Sequence, residues 1–177
     1  MKKIMILFVA MALVLGVTGC TKPVNVPLAD VLTEVKEAIK ADCLASGNFT
    51  EEDMAEGLPG LMEGNMLEDD LSLFVTDPEL FKQELISEGY ILAPMFNVMS
   101  DEVILLKAKD KGAVKELQAA LEQEQENRLK QWETYLPKQY EKVKDTIIKV
   151  QGQYLLYATW EDPTIIEAAF DKALSGK

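Results

Sequence analysis

The chain has 177 residues with 18 basic and 30 acidic side chains, no histidine and two cysteines, a formal charge of −12. That balance repels nucleic acid and anionic headgroups. The missing imidazole excludes Ser-His-Asp triads, Cys-His dyads and histidine-ligated zinc.

Lys2 and Lys3 precede an apolar run from Ile4 to Leu15, and small residues then lead to Cys20. A basic start, an apolar middle and a small-residue cleavage zone read as a secretory signal. Ile4 to Thr18 is 15 residues, short of the roughly 20 that a membrane-crossing helix needs. Val17-Thr18-Gly19-Cys20 resembles the lipobox of bacterial lipoproteins. The resemblance implies a signal peptide over 1–19, cleavage before Cys20 and fatty acylation of its thiol. Stable anchoring takes two chains, which a diacylated Cys20 supplies.

After cleavage 158 residues remain, with sixteen basic against thirty acidic groups and a charge of −14. That length suits one domain with a real core. Residues 20–27 form a short tether with two prolines, spanning at most ~28 Å. The domain, 28–177, is therefore expected close to the bilayer, with its acidic patch facing away from like charge within a Debye length of ~8–10 Å.

Leu28, Val31, Leu32, Val35 and Ile39 recur at helical steps, predicting an amphipathic helix over about 27–44. Cys43 continues its apolar face and reads as a buried, inert thiol, with no internal disulfide once Cys20 is acylated. Residues 41–81 hold eleven acidic residues and no Lys or Arg. Short helices joined by glycine turns are expected there, with Thr50/Asp53 and Thr76/Glu79 as capping boxes.

Tyr90 to Val98 and Glu102 to Lys109 read as antiparallel strands around a turn at Ser100-Asp101. A long helix is predicted over about 110–136, its stripe of Val114, Leu117, Leu121, Trp132 and Leu136 broken by Gln125 and Arg128, with another turn or two over 139–144. Residues 146–150 and 153–159 flank Gln151-Gly152 as a hairpin. Asp162 and Pro163 then open a last helix that buries Ile165, Ile166, Ala169, Phe170 and Leu174. The expected fold class is α+β, an antiparallel sheet of about four strands with helices mainly on one face.

Pro94-Met95-Phe96-Asn97-Val98, Asp101-Glu102-Val103, Leu105-Leu106-Lys107-Ala108-Lys109-Asp110, Tyr135-Leu136-Pro137-Lys138-Gln139-Tyr140 and Gly152-Gln153-Tyr154 resemble, in the same order, a lipoprotein family of Gram-positive bacteria. It is the family catalogued as domain of unknown function 4358. The resemblance runs from about Leu28 to Leu174 and implies a tethered extracytoplasmic domain with no functional residues to carry over.

Three chemistries are open to these residues. Glu51-Glu52-Asp53 and Glu68-Asp69-Asp70 contain carboxylates that a glycosidase could use as acid and base, but such runs are usually solvated surface. Calcium could use the oxygens between Asp42 and Glu79, with Glu63-Gly64-Asn65 through Asp69 the nearest pattern, although the EF-hand spacing is absent. Met95, Phe96 and Met99, with Tyr154, Tyr157 and Trp160, read as core with a partly covered second face, or as an apolar patch rimmed by acids. No catalytic, cofactor or metal residue is assigned, and Cys20 is the one modification site.

The functional expectation is a lipid-anchored extracytoplasmic module, non-enzymatic, that binds a protein or peptide partner. A carboxylate-dependent cell-wall hydrolase and a cation- or peptide-binding accessory subunit are the alternatives.

Overall fold

The computed structural model describes residues 25–176. The expected signal peptide over 1–19, the lipobox-like residues with Cys20 and most of the expected tether lie outside the described residues. None of the described helices is long and apolar enough to cross a membrane.

Helix α1 (Leu28–Ala45) forms where the periodicity predicts, with Leu28, Val31, Leu32, Val35 and Ile39 buried. It stops at Gly47, whose φ of 73° favours a residue without a Cβ. Strand β1 (Leu61–Asn65) follows a turn-rich stretch. It overturns the expectation of turns and short helices alone. Its sequence, Leu-Met-Glu-Gly-Asn, has little strand propensity, and pairing with the next strand settles its conformation. Three 3₁₀ turns, Leu71–Leu73, Pro78–Leu80 and Gln83–Leu85, carry the chain onward.

Strands β2 (Ile86–Pro94) and β3 (Glu102–Ala108) form the first hairpin. β2 starts four residues earlier than predicted, because Ile86, Glu88 and Gly89 join the ladder, with an irregularity at Ser87 between Ile86 and Glu88. Residues 95–101 become the connecting loop. Asp110 caps α2 (Lys111–Trp132), accepting from the Gly112 and Ala113 N–H groups at 2.7 and 2.9 Å. Helix α3 (Pro137–Lys144) begins with Pro137 in its first turn. The second hairpin, β4 (Ile147–Gln151) and β5 (Tyr154–Thr159), turns at Gly152 with φ 65°. Helix α4 (Thr164–Leu174) closes the chain.

The α+β class holds, with five strands among the described residues instead of about four. All pairings are antiparallel in the order β1-β2-β3-β5-β4. Helices cover both faces of this sheet, where one was expected. α1 and α4 pack on Leu92, Val103, Leu105, Tyr154, Leu156 and Ala158. α2 and the 71–81 segment cover Ile91, Ile104, Leu106, Leu155 and Tyr157 on the other side. Alternate residues of one strand point to opposite faces, so β3 from Val103 to Leu106 and β5 from Tyr154 to Ala158 carry apolar side chains toward both layers.

Candidate functional site

The two ends of the sheet are chemically different. At one end the chain enters the domain through a polar clasp. The Tyr154 hydroxyl accepts from the Val26 N–H at 2.8 Å and donates to the Val26 carbonyl at 2.7 Å. Lys107 donates to Asn25 Oδ1 at 3.2 Å and pairs with Glu88 at 2.6 Å. Glu88 in turn accepts from the Leu28 N–H at 2.7 Å. Burial works to raise the Glu88 carboxyl, but the bonds from Lys107 and Leu28 prevail and hold it below its ordinary value. The clasp fixes where residue 25 leaves the body.

The opposite end carries the β2–β3 loop. Met95, Phe96 and Val98 are exposed on it, Phe96 by 59%. They are held out by bonds on both flanks of the loop. The Met95 N–H reaches the Gly60 carbonyl at 2.8 Å. Ser100 is buried and bonds Gln139 of α3 through its N–H at 2.9 Å and its hydroxyl at 2.8 Å. Asp101 pairs with Lys142 at 2.8 Å. Beside the loop lies a cleft of about 570 Å³, lined by Lys138, Gln139, Lys142, Asp145, Trp160 and Glu161 among others.

Strand β3 separates the two ends. Lys107 stands at the clasp and Glu102 next to the loop, and at about 3.4 Å per residue its length is roughly 20 Å. Any anchor acting through residue 25 thus holds the body by the end remote from Phe96.

Between the ends, on the α2 face, sits a charged cluster. Glu102 and Glu124 are 2% and 0% exposed. Arg128 grips Glu102 with Nε at 3.1 Å and Nη2 at 2.9 Å, and approaches Glu124 at 2.9 Å. Its Nη2 also donates to the Phe74 carbonyl at 2.6 Å. Glu124 accepts from the Thr76 N–H at 3.0 Å and from the Thr76 hydroxyl. Burial first, and the neighbouring Glu124 charge, push the Glu102 carboxyl up to about 7 against the pull of Arg128. The Tyr157 hydroxyl is buried and feels the Glu102 charge without a well-formed hydrogen bond, and burial raises its pKa.

The structure disperses the carboxylates suggested by sequence. Glu51 pairs with Lys40 at 2.7 Å, and Asp53 exchanges bonds with Thr50 in capping-box geometry around a turn. Asp69 and Asp70 accept backbone N–H groups of Asn65 and Ser72, at 2.7 and 3.0 Å. Glu63 is bound by Lys36. Among the described residues no group of three or more Cys, Asp or Glu is placed to hold a metal ion. Thr76 does not cap with Glu79; Asp77 caps that turn instead, and Thr76 is taken by Glu124.

Tyr154, Tyr157 and Trp160 are buried, so they belong to the core and leave the exposed patch to the β2–β3 loop. Cys43 is only half-buried; burial, then Asp42 and Asp101, raise its thiol pKa. The inner stripe of α2 is Ala113, Leu117, Ala120, Leu121, Glu124 and Trp132. Val114 is partly buried and Leu136 lies beyond the helix. The Glu102–Arg128–Glu124 cluster was missed by sequence reasoning. Its signal was the lapse in that stripe, since two opposite charges four residues apart on a buried face imply a buried pair.

Residues 81–159 match the family model described as Domain of unknown function (DUF4358). The chain resembles that family over β2 to β5, a narrower span than Leu28 to Leu174. No curated protein and no solved structure matches the chain. The matched span includes the exposed loop, Glu102, Arg128 and the cleft residues up to Thr159.

Proposed function

We propose that this protein is a lipid-anchored extracytoplasmic binding module, held to a membrane through Cys20. It acts without catalysis and grips a protein or peptide partner with the end of the sheet farthest from the tether. The supporting observation is the opposition of the two ends. The clasp of Glu88, Lys107 and Tyr154 fixes the chain entry at one, while Met95, Phe96 and Val98 are held out into solvent at the other. Apolar side chains kept exposed on a hydrogen-bonded loop suit a partner contact. The mature charge of −14 makes the fitting partner basic as well as apolar, since complementary charge speeds encounter.

A photocrosslinking residue placed at Phe96, or separately at Gln151, in intact cells tests the reading. Adducts to one defined protein from position 96, and none from 151, are expected. Failure to capture any protein from 96, or equal capture from both, overturns the binding face. Cys20→Ser tests the anchor: the chain is expected in the soluble fraction with no fatty acid attached. Retention of an acylated chain on membranes overturns that part.

A further inference from the structure

The Glu102–Arg128–Glu124 cluster sets two carboxylates against one guanidinium in a nearly water-free site. Fully ionised, it holds one uncompensated negative charge, which a low-dielectric interior opposes strongly. Among the described residues no further cation pairs with it. Asp101, the residue before Glu102, has its own lysine, Lys142, at 2.8 Å. From β5 the group facing the site is the Tyr157 hydroxyl, and from α2 the neighbours are neutral amides: Asn127, which donates to the Thr76 hydroxyl at 3.1 Å, and Gln131, which accepts from Arg128 Nη1 at 3.4 Å. From the 71–81 segment it meets the Phe74 carbonyl, at 2.6 Å from Arg128, and Thr76.

These same contacts fasten that segment. Phe74 lies between Arg128, which holds its carbonyl, and Gly64 of β1, where its ring takes the space of a side chain. A Cβ at Gly64 would fall 2.6 Å from Phe74 Cζ. Thr76 gives both its N–H and its hydroxyl to Glu124. Leu71, Val75 and Phe81 of the segment are themselves buried in the core of this face. The cluster therefore ties the edge strand, the 71–81 segment and α2 together at one point.

We propose that the cluster is a one-proton clamp. With one proton on its carboxylates it is neutral and holds residues 71–81 down over the sheet. When that proton leaves, repulsion between Glu102 and Glu124 loosens the segment and uncovers β1. With Glu124 occupied by the Thr76 N–H and hydroxyl, the proton is assigned to Glu102, whose carboxyl burial pushes up. Its carboxyl stands at about 7, so the clamp is closed in mildly acidic surroundings and loosens as pH rises through neutrality.

Amide hydrogen exchange of the full-length chain from pH 5.5 to 8.5, with each rate divided by its intrinsic rate, tests the clamp. Protection of amides in 71–81 is expected to fall at least tenfold across that range while α1 stays level. Glu102→Gln, which imitates the protonated carboxyl, is expected to keep 71–81 equally protected at every pH. Constant protection in the unmodified chain, or the same fall in Glu102→Gln, overturns the proposal. Carbon-13 titration of the glutamate carboxyls in the unmodified chain decides the matter even if that variant fails to fold. One glutamate titrating near 7 is expected, and titration of every carboxyl below pH 5.5 overturns it.

Discussion

The two faces of the sheet are built on different terms. The α1/α4 face is hydrocarbon almost throughout: Leu28, Val31, Val35 and Ile39 from one helix meet Ile166, Phe170 and Leu174 from the other over Val103, Leu105 and Leu156. The α2 face encloses a similar set of aliphatic side chains, but two carboxylates and a guanidinium interrupt it. The first face owes its stability to buried area, which does not depend on pH. The second depends on a proton count, and its polar bonds reach across 54 residues of sequence, from Arg128 to Phe74. Area makes a face stable, whereas the buried polar contacts dictate which distant segments must meet.

The largest effect should come from Arg128→Met. It leaves Glu102 and Glu124 buried without a counter-charge, a loss of about 3–5 kcal/mol for a broken buried pair. Urea unfolding at pH 8 should register it in full, and at pH 5 the loss should shrink because Glu102 can take up a proton. An equal loss at both pH values would erase the distinction between the faces. For the unmodified cluster, the folded Glu102 carboxyl titrates at about 7 and the unfolded one at 4.5. Its favourable contribution is therefore complete below pH 4.5 and is lost as pH rises through 7, by up to about 3 kcal/mol.

Ile166→Ala probes the hydrocarbon face and should cost about 3 kcal/mol through lost burial and a residual cavity. That cost should be the same at pH 5 and pH 8. A clear pH dependence would mean that α4 is coupled to the charged cluster across the sheet. Gly64→Ala comes next, at roughly 1–3 kcal/mol, because the added methyl overlaps the Phe74 ring and either β1 or Phe74 must move. Denaturation midpoints measure that cost, and exchange in 71–81 should rise at every pH, unlike the proton-dependent rise of the unmodified chain. Phe96→Ser should change stability by less than about 0.5 kcal/mol, as exposed positions do. Its expected consequence is loss of partner capture at an unaltered melting temperature; undiminished capture would remove the loop from the binding face.

Local chemistry made α1, the β4–β5 hairpin and α4 legible, since each carries its own signal: a 3.6-residue stripe, a two-residue turn at Gln151-Gly152, and Asp162-Pro163 before an apolar run. Strand β1 was hidden because Glu63-Gly64-Asn65 has no alternation and becomes extended only against Ile91 and Tyr90 of β2. The second helical layer was half-visible. The unbroken apolar run of β5, Tyr154 to Ala158, already requires cover on both faces, but nothing in that run tells which helices supply it. The clasp around Val26 joins groups up to 128 residues apart, and no spacing rule announces such a contact.

By itself the sequence determined the types of the helices and of the two hairpins, the acidic charge and the absence of imidazole chemistry, because these follow from composition and from interactions within a few residues. Tertiary structure alone decided which face each helix covers, that Glu102 and Glu124 share Arg128, and that Phe96 and Val26 sit at opposite ends of the sheet. The physical reason is that burial and ion pairing depend on distance in space. Until strands pair and layers close, a glutamate bound for the core and one bound for solvent are the same residue.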